Sequence, residues 1–490
     1  MDAHADPDGT NPLAHRDARR VVLGVLLPLF VGSLDNTILA SALPTIGHEL
    51  GDVHSLPWLI TIYLLAATAG MPLYGKIADI HGRRFTLRIA IAAHMIGSLV
   101  CALAPSMLML ILGRALQGIG GAGLSSISVV VLGDVAAPKE RGKYYAYFSI
   151  TYTTAGACGP ALGGFLADHL HWSAIFWLNI PLGILALVVT STLLRHLPRH
   201  ERPHRLDLIG AVLIVAASVS FMLALNLAGV RYSWTSPPVL ALFACALIVA
   251  GLFVMRLTRA PEPLIPISIL LDPVVRYAVI ANSFGWGSIV GLNIFLPMYL
   301  QSVIGLSPTY AGLSLMVLMM SLNISAGIGG QILGRVTHYK LLPMAALLVA
   351  IVSVTILALW AESLTPLSFE LLLFLIGAGF GPMPSLAAVA LQNVIARHQL
   401  GIAIGTMNFS RNLLSTMLVA LFGAIVLAST AAVEPGGAGR LGGALPPGAA
   451  DAAKAYARVF FAVAACFSVA WIALWFIEEK PLRTDVPAQT

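Results

Sequence analysis

From residue 21 to residue 477 the chain runs through one long apolar stretch after another, separated by short polar breaks. A soluble core has no room for so many, whereas a bilayer core about 30 Å thick is crossed by about 20 helical residues that satisfy their own backbone hydrogen bonds. The composition agrees: 58% of the 490 residues are hydrophobic and 10% charged, against roughly 45–50% and 25% in soluble domains. The pattern predicts an all-α polytopic membrane protein with fourteen spans, at 21–43, 57–78, 86–104, 107–135, 144–166, 174–194, 208–228, 237–256, 277–300, 309–333, 342–360, 366–393, 400–428 and 456–477.

Lysine and arginine fix the orientation. With the N-terminus in the cytoplasm, the cytoplasmic segments hold 22 of the 28 Lys and Arg residues, and both termini are cytoplasmic by the positive-inside rule. That placement accounts for the net charge of +6 without a nucleic-acid partner. The basic loop at 195–205, which has the chemistry to touch lipid headgroups or, through its histidines, a metal, reads first as part of this topology signal. The polar first twenty residues lack an apolar core, so no cleaved signal peptide is expected. The four cysteines show no CxxC spacing, which argues against a disulfide framework or a metal site. The Gly- and Pro-rich stretch 434–448 reads as a flexible external loop.

A weak repeat joins the halves. GKIADIHGRR (Gly75 to Arg84) follows the second span and GQILGRVTHYK (Gly330 to Lys340) the tenth, which places Asp35 opposite the region of Asn293. This predicts a six-helix bundle over 21–194, two inserted helices with flanking loops over 195–276 and a second six-helix bundle over 277–477, with cytoplasmic tails at 1–20 and 478–490.

Two soluble-enzyme patterns fail on context. GMPLYGKI (Gly70 to Ile77) imitates a P-loop without its Ser/Thr or a preceding strand, and GIGGAG (Gly118 to Gly123) sits mid-span, where small residues serve helix packing. HExxH and GxSxG are absent, so no enzyme is expected.

The chemistry concentrates in charges inside spans. Asp35, in LDNTILASALP, lies about nine residues, or about 13 Å, from the external end of its helix. A charged carboxylate facing lipid there costs about 2.5–3.5 kcal/mol or more, so Asp35 is expected to face the protein interior or a water-filled cavity. It then serves either as a proton carrier or as a carboxylate that only fixes helix packing. Arg114 lies at about the same depth and is placed to favour the ionised form, with Gln117 one turn further on the same face. Protonation of Asp35 would release Arg114 to other partners. Arg411, with Asn408 one turn before it, has no acidic residue at its level, and either touches substrate or bonds helix carbonyls. The intramembrane ions therefore number one negative and two positive, which disfavours a dicationic cargo. His94, mid-span, reads as a satisfied packing histidine rather than a relay. Gly75, Asp79, Gly82, Arg83 and Arg84 form a cytoplasmic turn able to hold one face closed, and Gly156, Gly159, Pro160, Gly163 and Gly164 in GACGPALGG mark a kinked hinge or a tight helix contact.

Together LDNTILASALP, GKIADIHGRR, LGRALQGIGGAG, GACGPALGG and SPTYAGL (Ser307 to Leu313) resemble, in order and spacing, the motifs of the fourteen-span drug:proton antiporters of the major facilitator superfamily. Ile80 departs from the arginine usual in the loop motif. The resemblance implies two six-helix bundles around a central cavity, rocking between inward- and outward-open states in the bacterial inner membrane. It implies export of amphipathic or hydrophobic small molecules in exchange for protons. On this reading Asp35 and Arg114 couple the proton, while Gln117, Phe284, Trp286, Asn293, Phe295, Asn408 and Arg411 line the cavity. The proton gradient drives transport with no cofactor, and the partners are the cargo, protons, the lipid bilayer and adaptor proteins for export across an outer envelope. The alternative cargo is a specific metabolite, siderophore, sugar derivative or lipid.

Overall fold

The computed structural model describes residues 15–50, 55–136, 138–194, 207–228, 232–260, 263–306, 308–333, 338–361, 366–396, 399–431 and 449–479. The basic loop at 195–205, the loop at 434–448 and Ser307 lie outside them. The helices are α1 (His15–Leu50), α2 (Leu56–His81), α3 (Arg83–Ala102), α4 (Met107–Val135), α5 (Pro138–His169), α6 (Ala174–Leu193), α7 (Leu208–Leu227) and α8 (Pro237–Arg259). They continue with α9 (Ile267–Leu271), α10 (Pro273–Ser302), α11 (Pro308–Leu333), α12 (Leu341–Leu359), α13 (Pro366–Phe380), α14 (Pro382–Val394), α15 (Leu400–Ala431) and α16 (Ala449–Phe476). Among the described residues, 13 helices are long and apolar enough to cross a membrane, with Leu367–Val394 taken as one span. The long helix left out is α5, whose KERGK start and Tyr, Thr and Gly content dilute its apolar character.

Several boundaries differ from the expectation for local reasons. The first helix runs well beyond 21–43 at both ends. The loop motif is scarcely a loop: Gly75 to His81 finish α2, Arg83 and Arg84 start α3, and the turn is Gly82 alone, at φ +85°, a conformation open to glycine at no steric cost. The short α9, between Pro266 and the proline that opens α10, was not expected. The twelfth span is interrupted at Gly381, ahead of Pro382, a residue that has no N–H to continue the first half.

Two compact units result: the described residues within 1–206 together with Gln392–Thr406, and those within 207–391 together with 407–479. In the first, α4 packs on α1, α2 and α3, α1 also on α5 and α6, and α3 on α6. The glycines of α4 make this possible. A Cβ on Gly118 would run into the Tyr63 carbonyl of α2, one on Gly120 into the His94 backbone of α3, and one on Gly123 into Ala90 and Tyr74. The dinucleotide-like GIGGAG is thus a helix-packing surface. Ser106 starts α4, its hydroxyl accepting from the Met109 N–H at 3.4 Å, which satisfies one orphan donor of the first turn.

In the second unit α10 packs on α11 and α16, α13 on α11 and α12, and α12 on α16. The inserted α7 and α8 pack chiefly on each other. Asp207 ties their ends, accepting from Gly210 N–H at 3.0 Å and from Arg256 Nε at 3.1 Å.

Candidate functional site

Asp35 is completely buried in α1. Its neighbours Ser33, Asn36 and Thr37 spend their side chains on carbonyls of their own helix, those of Leu29, Gly32 and Leu34, and Thr37 also donates to the Ala155 carbonyl of α5 at 3.0 Å. Asp35 instead meets three donors from two other helices, α4 and α6. Arg114 Nη1 donates to its Oδ2 at 2.6 Å, Asn179 Nδ2 of α6 to Oδ1 at 2.8 Å, and Gln117 Nε2 to Oδ1 at 3.2 Å. Three donors and one full positive charge suit an ionised carboxylate.

The surroundings fix the donors in turn. Arg114, also buried, sends Nε to the Leu59 carbonyl of α2 at 3.1 Å and Nη1 to Gln117 Oε1 at 2.9 Å, and lies over the Tyr63 ring at 4.4 Å. Ser98 of α3 accepts from Gln117 at 2.6 Å and from Asn179 at 3.3 Å. The Cys101 thiol, buried, reaches Gln117 Oε1 at 3.5 Å. His94 Nδ1 meets the Gln117 carbonyl at 3.3 Å, and its buried Nε2 has no hydrogen-bond partner among the described residues. His94 is therefore only half satisfied, contrary to the packing role expected of it. Gln117, expected along a cavity wall, is sealed into this cluster.

A second polar cluster sits where α2 meets α3. Arg83 pairs with Asp79 and, at 2.8 Å, with Asp134 of α4. The Asp79 carboxylate accepts from the backbone N–H groups of Gly401 and Ile402 at 3.1 and 2.9 Å, so it caps the positive end of α15. A Cβ on Gly75 would strike the Gly401 carbonyl, which is why α2 can come this close. Arg84 holds the Ser191 carbonyl of α6 at 2.8 Å. Ile80 is buried, and the ties run through Arg83 and Arg84. Asp79→Ala is expected to cost about 0.5–2 kcal/mol, read as a lower thermal unfolding midpoint in detergent, with Gly75→Ala lowering it as well. Unchanged midpoints in both would show that these ties hold nothing.

On α5, Gly159 is the close contact: a Cβ there would collide with Thr37, whereas at Gly156 and Gly164 it would meet nothing. Gly163 is buried, and α5 continues as helix through Pro160.

In the second unit the Arg411 guanidinium lies over the Trp286 ring at 5.1 Å, with Nε 3.4 Å from Asn412 Oδ1. Asn408, one turn before, is buried. Phe284 is half-buried. Two expected cavity residues are occupied in packing: Phe295 is buried edge-on against Phe422, ring centres 6.3 Å apart, and Asn293 donates to the Ile289 carbonyl at 2.9 Å. The expectation of one intramembrane acid also fails. Glu370 of α13 lies inside a span, accepting from the Ser314 hydroxyl of α11, and Asp134 lies in the last turn of α4. Asn179, Ser98 and Tyr63 were likewise missed, since a lone Asn, Ser or Tyr in an apolar stretch carries no signal of which neighbour it faces.

A fold of long apolar helices, a carboxylate and an arginine paired inside it, and a capped turn between the second and third helices describe a membrane transporter. Residues 25–420 match the Major Facilitator Superfamily, and the chain belongs to that family. It is 30% identical over 408 residues to the multidrug transporter protein MdtP of Bacillus subtilis, covering 83% of this chain and 75% of that one. It is 31% identical over 409 residues to multidrug resistance protein 3 of the same organism, covering 83% and 79%. Among solved structures, the human organic anion transporter MFSD10 superposes with a TM-score of 0.64 at 17% identity, covering 93% of this chain and 99% of that one. That likeness is one of fold.

Proposed function

We propose that this transporter exports amphipathic or hydrophobic small molecules across the bacterial inner membrane in exchange for protons, by alternating access. The observation that carries the reading is Asp35: a carboxylate buried inside a membrane bundle and accepting from an arginine and two amides of neighbouring helices. Such a group is costly in a membrane interior unless it works. Its proton arrives when that network opens to one side and leaves when it opens to the other. The Asp79 cap on α15 must break for that end of α15 to separate from α2, which makes the turn a lock on one face. Relatives at 30% and 31% identity that are a multidrug transporter and a multidrug resistance protein support the cargo class.

The test is transport in proteoliposomes. A lipophilic dye is expected to move against its gradient when a pH gradient is imposed, and to stop when a protonophore dissipates it. Uphill movement indifferent to the proton gradient would overturn the reading.

A second reading, a narrower cargo with a neutral or anionic group, is favoured by Arg411 over Trp286, an aromatic plate beside a cation able to take a planar acid. Arg411→Gln is expected to weaken an aromatic carboxylate by about tenfold, the scale of one charge-assisted hydrogen bond, and a neutral dye much less. Thermal-shift titration with both compounds measures this. Equal effects on the two would remove Arg411 from cargo selection.

A further inference from the structure

The Asp35 network is uneven in how firmly its donors are held, and that unevenness says which of them gives way when the carboxylate takes a proton. Arg114 has three other holds: the Leu59 carbonyl at 3.1 Å, Gln117 Oε1 at 2.9 Å and the Tyr63 ring at 4.4 Å. Gln117 keeps Ser98 at 2.6 Å. Among the described residues Asn179 Nδ2 keeps only Ser98, at 3.3 Å, on an oxygen that Gln117 already occupies at the shorter distance. Neutralising Asp35 therefore leaves Arg114 and Gln117 in place and Asn179 with little to hold it.

The helix that carries Asn179 is also the one built to respond. Pro181 lies inside α6, two residues on, and its missing N–H leaves the Trp177 carbonyl without its partner one turn ahead. A proline is a common cause of a sharp helix bend. Two residues past Pro181, Gly183 rests on the thioether of Met95 of α3, an adaptable side chain that re-packs readily.

We propose that Asn179 is the positioning residue whose bond to Asp35 is surrendered on protonation, and that α6, bending at Pro181, transmits the event while Arg114 stays where it is. A hydronium ion gives its proton to the Oδ1 lone pair that had accepted the Asn179 N–H, leaving a water molecule; the carboxylate becomes a neutral carboxyl group, and the hydrogen bond from Asn179 is the one given up. The titratable groups around Asp35 are Arg114 on α4, His94 and Cys101 on α3 and Tyr63 on α2, with Tyr152 of α5 beyond Tyr63. No residue of α6 titrates, so its response to pH has to come through Asn179. The proposal rests on Asp35 being the proton carrier and departs from the expectation that Arg114 is the group set free.

The experiment uses the full chain in lipid nanodiscs, with the infrared C=O band of protonated Asp35 identified as the band that Asp35→Asn removes. Asn179→Ala is expected to move the midpoint of that band by about one pH unit in the alkaline direction, the loss of one charge-assisted hydrogen bond to the ionised form. Asn179→Ser, which keeps a donor and guards against a folding failure of the alanine variant, moves it less. Pro181→Ala restores the missing helix bond. It is expected to leave the midpoint in place while lowering turnover in proteoliposomes several-fold at unchanged KM, a split that a purely structural role would not produce. A wild-type midpoint in folded Asn179→Ala and Asn179→Ser overturns the role of Asn179, and wild-type turnover in Pro181→Ala overturns the hinge. Proton-driven export surviving in Asp35→Asn would instead overturn the proton-carrier reading on which both depend.

Discussion

Asp35→Asn in proteoliposomes is expected to reduce export driven by a pH gradient to the level of protein-free vesicles, while exchange of labelled for unlabelled cargo at equal concentrations persists. The amide is nearly the same size, but its single oxygen accepts from either Arg114 or the Asn179 and Gln117 amides, which bind different carboxylate oxygens, so the variant is expected to fold with lowered stability. It cannot bind or release a proton, so each cycle loses its link to the gradient. The two assays separate coupling from folding and binding in one variant. If uphill export survived at a substantial fraction of the parent's rate, another group would carry the proton, and Glu370 with its serine partner would be the first to replace.

The second large effect falls on stability. Arg114→Leu removes the cation paired with Asp35 and leaves a fully buried carboxylate with two amide donors. Breaking a buried pair from one side costs about 3–5 kcal/mol, mostly because the remaining charge is stranded, whereas replacing both members is far milder. Arg114→Leu is therefore expected to unfold at a markedly lower temperature in detergent than the parent, and Arg114→Leu combined with Asp35→Asn to recover most of the difference. The same ordering should appear in the amount of protein that reaches the membrane. Equal midpoints for the single and double variants would mean that the carboxylate is not stranded, because water or another cation reaches it.

How much of this was legible without coordinates depends on the residue. Asp35, Arg114 and Gln117 stood out because a charge or amide inside an apolar stretch is costly and therefore informative, and their shared depth followed from helical rise alone. Asn179 and Ser98 lie in equally apolar stretches, but an amide or hydroxyl can bond its own helix, as Asn36 and Ser33 do. Which of these options is taken depends on how helices are rotated against one another, and that lies in the packing of glycines such as Gly97 and Gly120 on neighbouring backbones. The partners of Asp79 were unreadable for a different reason: they are main-chain N–H groups of Gly401 and Ile402, which every residue but proline possesses. The internal repeat pointed to Asn293 as the counterpart of Asp35, yet Asn293 bonds its own helix, so the two halves share a scaffold and not a charge. Phe295 shows the limit of composition, since an aromatic in a span is as fit for a buried edge-on contact as for a cavity wall.

Cys101 gives the sealed cluster an unplanned use. Its thiol touches Gln117 and lies beyond the reach of water in this arrangement, and an alkylating reagent attacks only a thiolate it can meet. The rate at which Cys101 is alkylated thus clocks how often the chamber around Asp35 admits solvent, and from which face, with no probe engineered into the protein. Comparing that clock with and without cargo would time the strokes of the cycle by a native atom.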